Sequence, residues 1–107
     1  MNVKKKILAI DDVRDFPDAD YIARTAKDGI RALREDGPWD LLHLDHDLAS
    51  IGDDGRELNG YNILCWLEEN PQYAPAEFHL VTANPVGRKN MEMVITNINR
   101  RRQAEGE

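Results

Sequence analysis

Short apolar runs alternate with longer segments of helical periodicity along this chain. Four runs are rich in aliphatic residues and are bounded by charged or turn-forming residues, which is typical of buried strands. Three further segments place apolar residues three and four positions apart, which predicts amphipathic helices. The predicted strands cover 5–10, 21–26, 39–48 and 76–83, and the predicted helices cover 27–38, 59–71 and 84–102. This alternation predicts an α/β fold with a mostly parallel sheet.

Capping residues support the helix boundaries. Asp28 is the predicted N-cap of the first helix, Asn59 that of the second, and Asn84 that of the third, with Pro85 at its first helical position. The apolar stripe of the third helix is predicted to lie in the core rather than in a cofactor site. That stripe consists of Met91, Val94, Ile95 and Ile98.

The connection between the first two strands is unusually short. Only residues 11–20 join them, whereas a parallel crossover normally takes about a dozen or more residues and usually contains a helix. Either this crossover is poor in helix, or the second strand is an antiparallel edge. A second irregular segment, 49–58, is polar, contains glycine and predicts a loop.

Composition narrows the class of protein. The 107 residues fit a single domain over 1–102, followed by a polar tail at 103–107 that is predicted to be disordered. A net charge of -6 argues against broad binding to duplex DNA. No apolar run approaches the roughly 18 residues of a membrane span. The single cysteine, Cys65, excludes an internal disulfide, so we expect a cytoplasmic protein without membrane contact.

Acidic residues follow two of the predicted strands. Asp11 and Asp12 end the first strand, and Asp45 lies near the end of the third. Ligands of open parallel sheets bind outside the carboxyl ends of the strands, so these carboxylates should converge. Hard divalent cations, Mg²⁺ or Mn²⁺, prefer such oxygen ligands together with phosphate oxygens. The alternative is that the two N-terminal acids only cap a turn.

The segment "LLHLDHDL" also carries two histidines. His46 stands between two aspartates at the predicted rim and, with Asp47 beside it, is the better candidate for acid–base catalysis. His43 points to the same side of the strand as Asp45, but its leucine neighbours fit a hydrogen-bonded core histidine equally well. Imidazole ligation would favour Mn²⁺, Zn²⁺ or Fe²⁺ over Mg²⁺. His79 lies inside the fourth strand and is predicted to be structural.

The segment "TANPVGRKN" predicts a phosphate site. A helix that starts directly after a strand offers free N–H groups and the positive end of its dipole to an anion. Thr82 could add a hydroxyl, Asn84 an amide, and Arg88 a guanidinium that clamps an oxygen. Gly87 would allow the anion to approach the backbone closely. Ordinary strand, cap and helix chemistry explains the asparagine and the following proline equally well.

Three of these segments resemble the receiver domain of two-component signalling. "ILAIDD" resembles its first strand with the acidic pair, "WDLLHLD" the strand that ends in its phospho-accepting aspartate, here Asp45, and "LVTA" the strand that ends in a threonine or serine. The resemblance implies a flavodoxin-like three-layer sandwich. "VRDFPDAD" replaces the first helix, and no fifth strand with its lysine or last helix is found. We therefore expect a truncated sheet with strand order 2-1-3-4.

A more specific resemblance is to the cyclic-phosphate-processing branch of the receiver-like superfamily. The motifs that carry it are "IDDVR", "LDHDL", "NGY" and "NPVGRKNM". Val81 stands where that family commonly has a histidine. The resemblance implies handling of cyclic phosphate ends of nucleotides or RNA, in bacteria or their phages. The leading expectation is metal-dependent hydrolysis of a cyclic phosphate. A non-catalytic nucleotide-binding or phosphate-binding module and a degenerate receiver that acts through protein partners are the alternatives.

Overall fold

A four-stranded parallel sheet forms the centre of the fold. The computed structural model describes residues 4–48, 50–51 and 55–105. The sheet contains β1 (Ile7–Ile10), β2 (Tyr21–Ala23), β3 (Leu41–Leu44) and β6 (Glu77–Leu80). Between β3 and β6 the chain forms a small hairpin of β4 (Ser50–Ile51) and β5 (Glu57–Leu58). The order of the sheet is β2-β1-β3-β6, and all three pairings are parallel. The predicted strand order is confirmed, and the second strand is parallel rather than an antiparallel edge.

The described residues form three α-helices, α1 (Ala26–Glu35), α2 (Gly60–Glu69) and α3 (Pro85–Glu105). α1 and α3 follow strands of this sheet, and α2 follows the hairpin. The N-cap of α1 is Thr25, whose hydroxyl accepts a hydrogen bond from the N–H of Asp28 at 3.1 Å. The prediction of Asp28 as N-cap was therefore wrong by three residues. Asp28 lies inside the first turn, where its charge suits the helix dipole, and it accepts a hydrogen bond from Arg31 at 2.8 Å.

The predicted caps of the other two helices are confirmed. Asn59 and Asn62 form a reciprocal capping box at the start of α2, with bonds of 2.9 and 3.0 Å. The Asn84 side chain accepts from the N–H of Gly87 at 3.0 Å at the start of α3. This helix continues to Glu105, so residues 103–105 are helical although the sequence predicted a disordered tail; residues 106–107 lie outside the described part of the chain.

The segment predicted as a loop at 49–58 contains some regular structure. β4 and β5 pair in antiparallel fashion over two residues each, as a small hairpin separate from the main sheet. Residues 49 and 52–54 lie outside the described part of the chain. The hairpin ends at Leu58, directly before the cap of α2.

One hydrophobic core joins one face of the sheet to the helices. Alternate strand residues enter it, since successive side chains of a strand point to opposite faces. Gly29 of α1 lies so close to Ile10 that a Cβ atom there would be 2.6 Å from the Ile10 Cδ1 atom. The predicted stripe of α3 is confirmed, because three of its four members are buried and Ile95 packs against them. Further buried members are Leu8, Leu42, Leu44, Ile63, Leu64 and Leu67.

The segment 11–20 covers the opposite face of the sheet without forming a helix. Phe16 stacks on His43 with ring centroids 4.9 Å apart, and Asp18 hydrogen-bonds the same imidazole at 2.9 Å. At the end of the segment, Asp20 accepts from the N–H of Ile7 at 2.8 Å. The first helix of the receiver fold is thus replaced by an irregular segment, as the sequence predicted.

Among the described residues, α3 is the last element of the chain, and β6 lies at the edge of the main sheet. The architecture is therefore a truncated receiver-like, flavodoxin-like α/β fold. None of the helices in the described ranges is long and apolar enough to cross a membrane.

Candidate functional site

Three carboxylates converge at the carboxyl end of the sheet. Asp11 and Asp12 follow β1, and Asp45 follows the neighbouring strand β3, where its N–H donates to the carbonyl of Ile10 at 3.1 Å. One carboxylate oxygen of each residue can be chosen so that all three lie within 4.8 Å of one another. This cluster could hold a metal ion, and it contains all three ligands predicted from the sequence.

Asp11 is completely buried and is held by hydrogen bonds from its own turn. Its Oδ1 atom accepts from the N–H groups of Val13 and Arg14, both at 2.9 Å. Burial alone would raise the pKa of this carboxyl, but these two hydrogen bonds and the guanidinium of Arg14 outweigh burial and lower its pKa. Asp11 is therefore a fixed negative charge at the end of β1.

Arg14 supplies the cation of the cluster, and the sequence analysis did not single it out. Its Nη1 atom lies 2.9 Å from Oδ2 of Asp11 and 3.2 Å from Oδ2 of Asp45. The signal was present in "IDDVR", because an arginine three residues after an aspartate in a tight turn can reach back to it. What the sequence could not give was the second contact, since that contact depends on the pairing of β1 with β3.

Asp45 is the carboxyl of the cluster whose charged form is disfavoured by its surroundings. Burial and then the nearby charge of Asp11 raise its pKa, although Arg14 and the N–H groups of Asp47 and His46 act in the opposite direction. A buried carboxylate beside a second one gains from a bound cation. The oxygen donors and the excess negative charge therefore fit a hard divalent cation.

His46 occupies the position between the acidic cluster and the start of α3. Its Nδ1 atom is 2.9 Å from Oδ1 of Asp47. The imidazole lies against Gly87, where a Cβ atom would be 2.6 Å from Cδ2 and 3.0 Å from Nε2 of the ring. The aspartate thus orients the ring from one side and the glycine makes room for it on the other. With Nδ1 engaged, proton transfer by this residue would use Nε2.

His43 has a different environment from His46. Its Nε2 atom is 2.9 Å from Oδ2 of Asp18, and its Nδ1 atom is 2.8 Å from Nδ1 of His79. Because a carboxylate only accepts, the neutral imidazole donates from Nε2 and accepts at Nδ1 from His79. The hydrogen bond from His43 lowers the pKa of Asp18. Both ring nitrogens of this buried histidine are engaged, which favours the structural alternative over a catalytic role.

The predicted phosphate-binding residues mainly satisfy one another in this structure. The hydroxyl of Thr82 is buried and accepts from the N–H of Asn84 at 3.1 Å. The Asn84 side chain in turn accepts from the N–H of Gly87, which is one of the N–H groups at the helix start that the sequence predicts for an anion. Strand, cap and helix chemistry therefore accounts for these three residues, and phosphate binding by them stays a prediction.

Arg88 lies on the outer edge of the sheet in this structure. Its Nη2 atom donates to the carbonyl oxygens of Leu80 and Thr82, both at 3.1 Å. The first carbonyl is that of the last residue of β6, an edge strand, and the second lies two residues beyond it. The recorded contacts give Arg88 a structural role at this edge, and a role as phosphate clamp stays a prediction.

Gly60 supports the site from the helix layer, and the sequence analysis did not identify this role. Its N–H donates to the carbonyl of His46 at 2.9 Å, and a Cβ atom there would lie 2.1 Å from the carbonyl oxygen of Asp45. Only glycine allows α2 to start this close to the main chain that follows β3. The signal was the glycine of "NGY", although its partner is visible only in three dimensions.

Comparisons with known proteins agree with this architecture. One solved structure, a yeast trimeric coiled-coil segment fused to another structure, matches with a TM-score of 0.59 and 19% sequence identity over 84% of this chain. This chain spans 60% of the length of that one, and the likeness concerns the fold alone. A search among curated proteins finds no match. The family model described as the cyclic-phosphate processing receiver domain matches residues 6–97, so this chain belongs to the family of cyclic-phosphate processing receiver domains.

Proposed function

We propose that this domain binds Mg²⁺ or Mn²⁺ and hydrolyses a cyclic phosphate on a nucleotide or an RNA end. The observation that carries the proposal is the cluster of Asp11, Asp12 and Asp45, whose carboxylate oxygens lie within 4.8 Å of one another in a chain of this family. The negative charge of the cluster disfavours direct binding of a phosphate. A cation bound between the carboxylates and the phosphate is therefore needed.

The reaction breaks one P–O bond of the cyclic phosphodiester. A water molecule adds its oxygen to phosphorus, one ribose oxygen leaves, and the proton lost by the water is balanced by the proton that the leaving oxygen gains. A divalent cation bound at the cluster would neutralise phosphate charge and lower the pKa of a bound water. The carboxylates of this chain would hold the cation at the rim of the sheet.

His46 is the group we assign to proton transfer. It follows Asp45 directly, and its ring is oriented by Asp47 and packed on Gly87. A positioned histidine of this kind typically contributes about 10²–10⁴-fold to the rate. We assign no proton transfer to His43, because both of its ring nitrogens already have partners.

The start of α3 is the proposed contact for the phosphate oxygens. The helix follows β6 after a short turn, and its N-terminal end carries partial positive charge. Thr82 and Asn84 would have to exchange their present hydrogen bonds for contacts with the ligand. Val81 stands in place of the histidine that the resemblance implies, and this difference is the observation behind the binding-module alternative.

The test is turnover of 2′,3′-cyclic nucleotides with Mn²⁺ over hours at high enzyme concentration, with the monophosphate product separated by chromatography. We expect weak hydrolysis, reduced at least about tenfold by Asp45→Asn or His46→Ala. Asp15→Asn is the matched control, because Asp15 is 89% exposed and its recorded ion pair is with Arg24. It changes the net charge as Asp45→Asn does and should leave the rate unchanged.

Two further results would redirect the proposal. Calorimetric binding of the cyclic nucleotide without product in any divalent cation would establish a binding module, and Val81→His would then be the variant to test for gained turnover. A stable acyl phosphate on Asp45 after incubation with a small phosphodonor would favour a degenerate receiver that acts through a protein partner. Absence of nucleotide binding would refute both phosphate-based proposals.

A further inference from the structure

The guanidinium of Arg14 occupies the place between the two buried carboxylates of the acidic cluster. Its Nη1 atom lies 2.9 Å from Oδ2 of Asp11 and 3.2 Å from Oδ2 of Asp45. Charge-assisted hydrogen bonds of this kind are among the stronger polar contacts in proteins. Arg14 thus reduces the repulsion that these two carboxylates would otherwise experience.

The oxygen that Arg14 contacts on Asp11 is also the one a metal ion would need. Oδ1 of Asp11 already accepts two backbone N–H groups, at 2.9 Å each. Oδ2 is therefore the atom with room for a further ligand, and the guanidinium lies on it. A cation that bridges these Oδ2 atoms of Asp11 and Asp45 would take the place that Nη1 now occupies.

The main chain of Arg14 is fixed, whereas its side chain is accessible. The N–H of Arg14 donates to Asp11, and its carbonyl accepts from Nη1 of Arg24 at 2.7 Å. The side chain of Arg14 is nevertheless 43% exposed. The guanidinium can therefore leave the carboxylates by side-chain rotation, without disruption of the turn that holds Asp11.

From these contacts we propose that Arg14 is an internal counter-cation of the acidic cluster, which bridges Asp11 and Asp45 until a divalent cation displaces it. The part of this inference that concerns displacement rests on the metal site of the proposed function. The bridge itself does not, because it is present between residues of this chain alone. Arg14 is a residue that sets metal affinity by competition, in addition to stabilising the metal-free domain.

The bridge is tested in metal-free protein by a double-mutant cycle of thermal melts in the presence of a chelator. Arg14→Met keeps the length of the side chain and removes the charge, and it should lower Tm. Asp45→Asn should raise Tm more in the Arg14→Met background than in the wild type, because the carboxylates repel more strongly without the guanidinium. Equal effects of Asp45→Asn in both backgrounds would overturn the bridge.

The displacement is tested by calorimetric titration with Mn²⁺ alone. We expect Arg14→Met to bind Mn²⁺ about tenfold more tightly than the wild type, since no charge-assisted contacts have to be broken first. Binding by the variant with none in the wild type would support the same conclusion. Equal or weaker affinity of Arg14→Met would overturn the displacement.

Arg34→Met is the matched control for the titration. Arg34 lies in the last turn of α1, away from the acidic cluster, and its ion pair is with Glu35. The affinity of Arg34→Met for Mn²⁺ should stay within about twofold of the wild type. If neither the wild type nor Arg14→Met binds Mn²⁺, the proposed displacement and the proposed metal site are both refuted. A double-mutant cycle without coupling between the two substitutions would refute the bridge alone.

Discussion

The imidazole of His46 packs directly on the backbone of Gly87, where a Cβ atom would lie 2.6 Å from the Cδ2 atom of the ring. This contact connects the residue after Asp45 with the first turn of α3, although the two are 41 positions apart in the sequence. It leaves no room for a larger residue at 87 while the ring keeps its orientation. Catalysis and stability should therefore respond differently to a substitution at this glycine.

Gly87→Ala should displace His46 and reduce the hydrolysis of 2′,3′-cyclic nucleotides at least about tenfold. The domain should keep its stability within about 1 kcal/mol, because a partly exposed side chain can move and alanine favours the helix. The measurements are product formation and a thermal melt. Val86→Ala is the control, since Val86 is 69% exposed in the same turn. Unchanged turnover of Gly87→Ala would contradict the role of His46.

Asp45→Asn should melt at a higher temperature than the wild type in metal-free buffer at pH 7. Burial and the charge of Asp11 raise the pKa of Asp45, so folding favours the protonated carboxyl, which asparagine resembles. The penalty grows as the pH rises from the ordinary value of 3.8 through the raised pKa of the folded state. Each 1 kcal/mol of relief corresponds to about 4–8 °C in a small domain.

The pH dependence separates this effect from a general change in charge. Below pH 3.8 the carboxyl is protonated in both states, so the advantage of Asp45→Asn should disappear there. Asp15→Asn makes the same change in net charge at an exposed position and should show no such advantage at pH 7. An Asp45→Asn protein that melts below the wild type at pH 7 would mean that the lost contact with Arg14 outweighs the relief.

His43→Ala should destabilise the domain by about 1–3 kcal/mol, because it removes hydrogen bonds to Asp18 and His79 and the stacking of Phe16. Denaturant unfolding measures this loss. Mn²⁺ affinity should stay within about twofold of the wild type if the residue is structural. A marked fall in that affinity would instead place His43 in the metal site. His79→Ala is the companion variant, and its exposed side chain predicts a smaller loss.

Gly60→Ala should cost more than about 2 kcal/mol or prevent folding. The added methyl group would lie 2.1 Å from the carbonyl oxygen of Asp45, and main chain cannot move aside as a flexible side chain can. Unfolding in denaturant, with circular dichroism as the signal, measures the effect. Asn59→Ala removes the cap one residue earlier without that overlap and should cost only about 1 kcal/mol. Equal costs for the two variants would argue that the close packing of Gly60 is unimportant.

The parallel sheet and the acidic cluster followed from the pattern of the sequence, and the order of strands followed from the resemblance to receiver domains. Apolar runs and helical periodicity located the elements, and their alternation required a parallel sheet. In such a sheet the carboxyl ends of neighbouring strands meet at one rim, so Asp11, Asp12 and Asp45 had to converge. Asn59 and Asn84 were identifiable as caps because each is an asparagine directly before a helical pattern. Thr25 stands three residues before an acidic residue, which is a capping signal that the sequence analysis did not use.

The tertiary structure decided which polar groups around that rim are partners. The ten residues 11–20 contain no periodic pattern, so nothing in the sequence said which face of the sheet they cover or which strand they contact. Their path brings Arg14 to Asp45 and Asp18 to His43. Arg14 and His43 each contact a carboxylate as a result. Hydrophobic periodicity fixes the secondary structure because burial is a property of each element. The pairing of charges depends on distances between elements, and those distances exist only after the chain has folded.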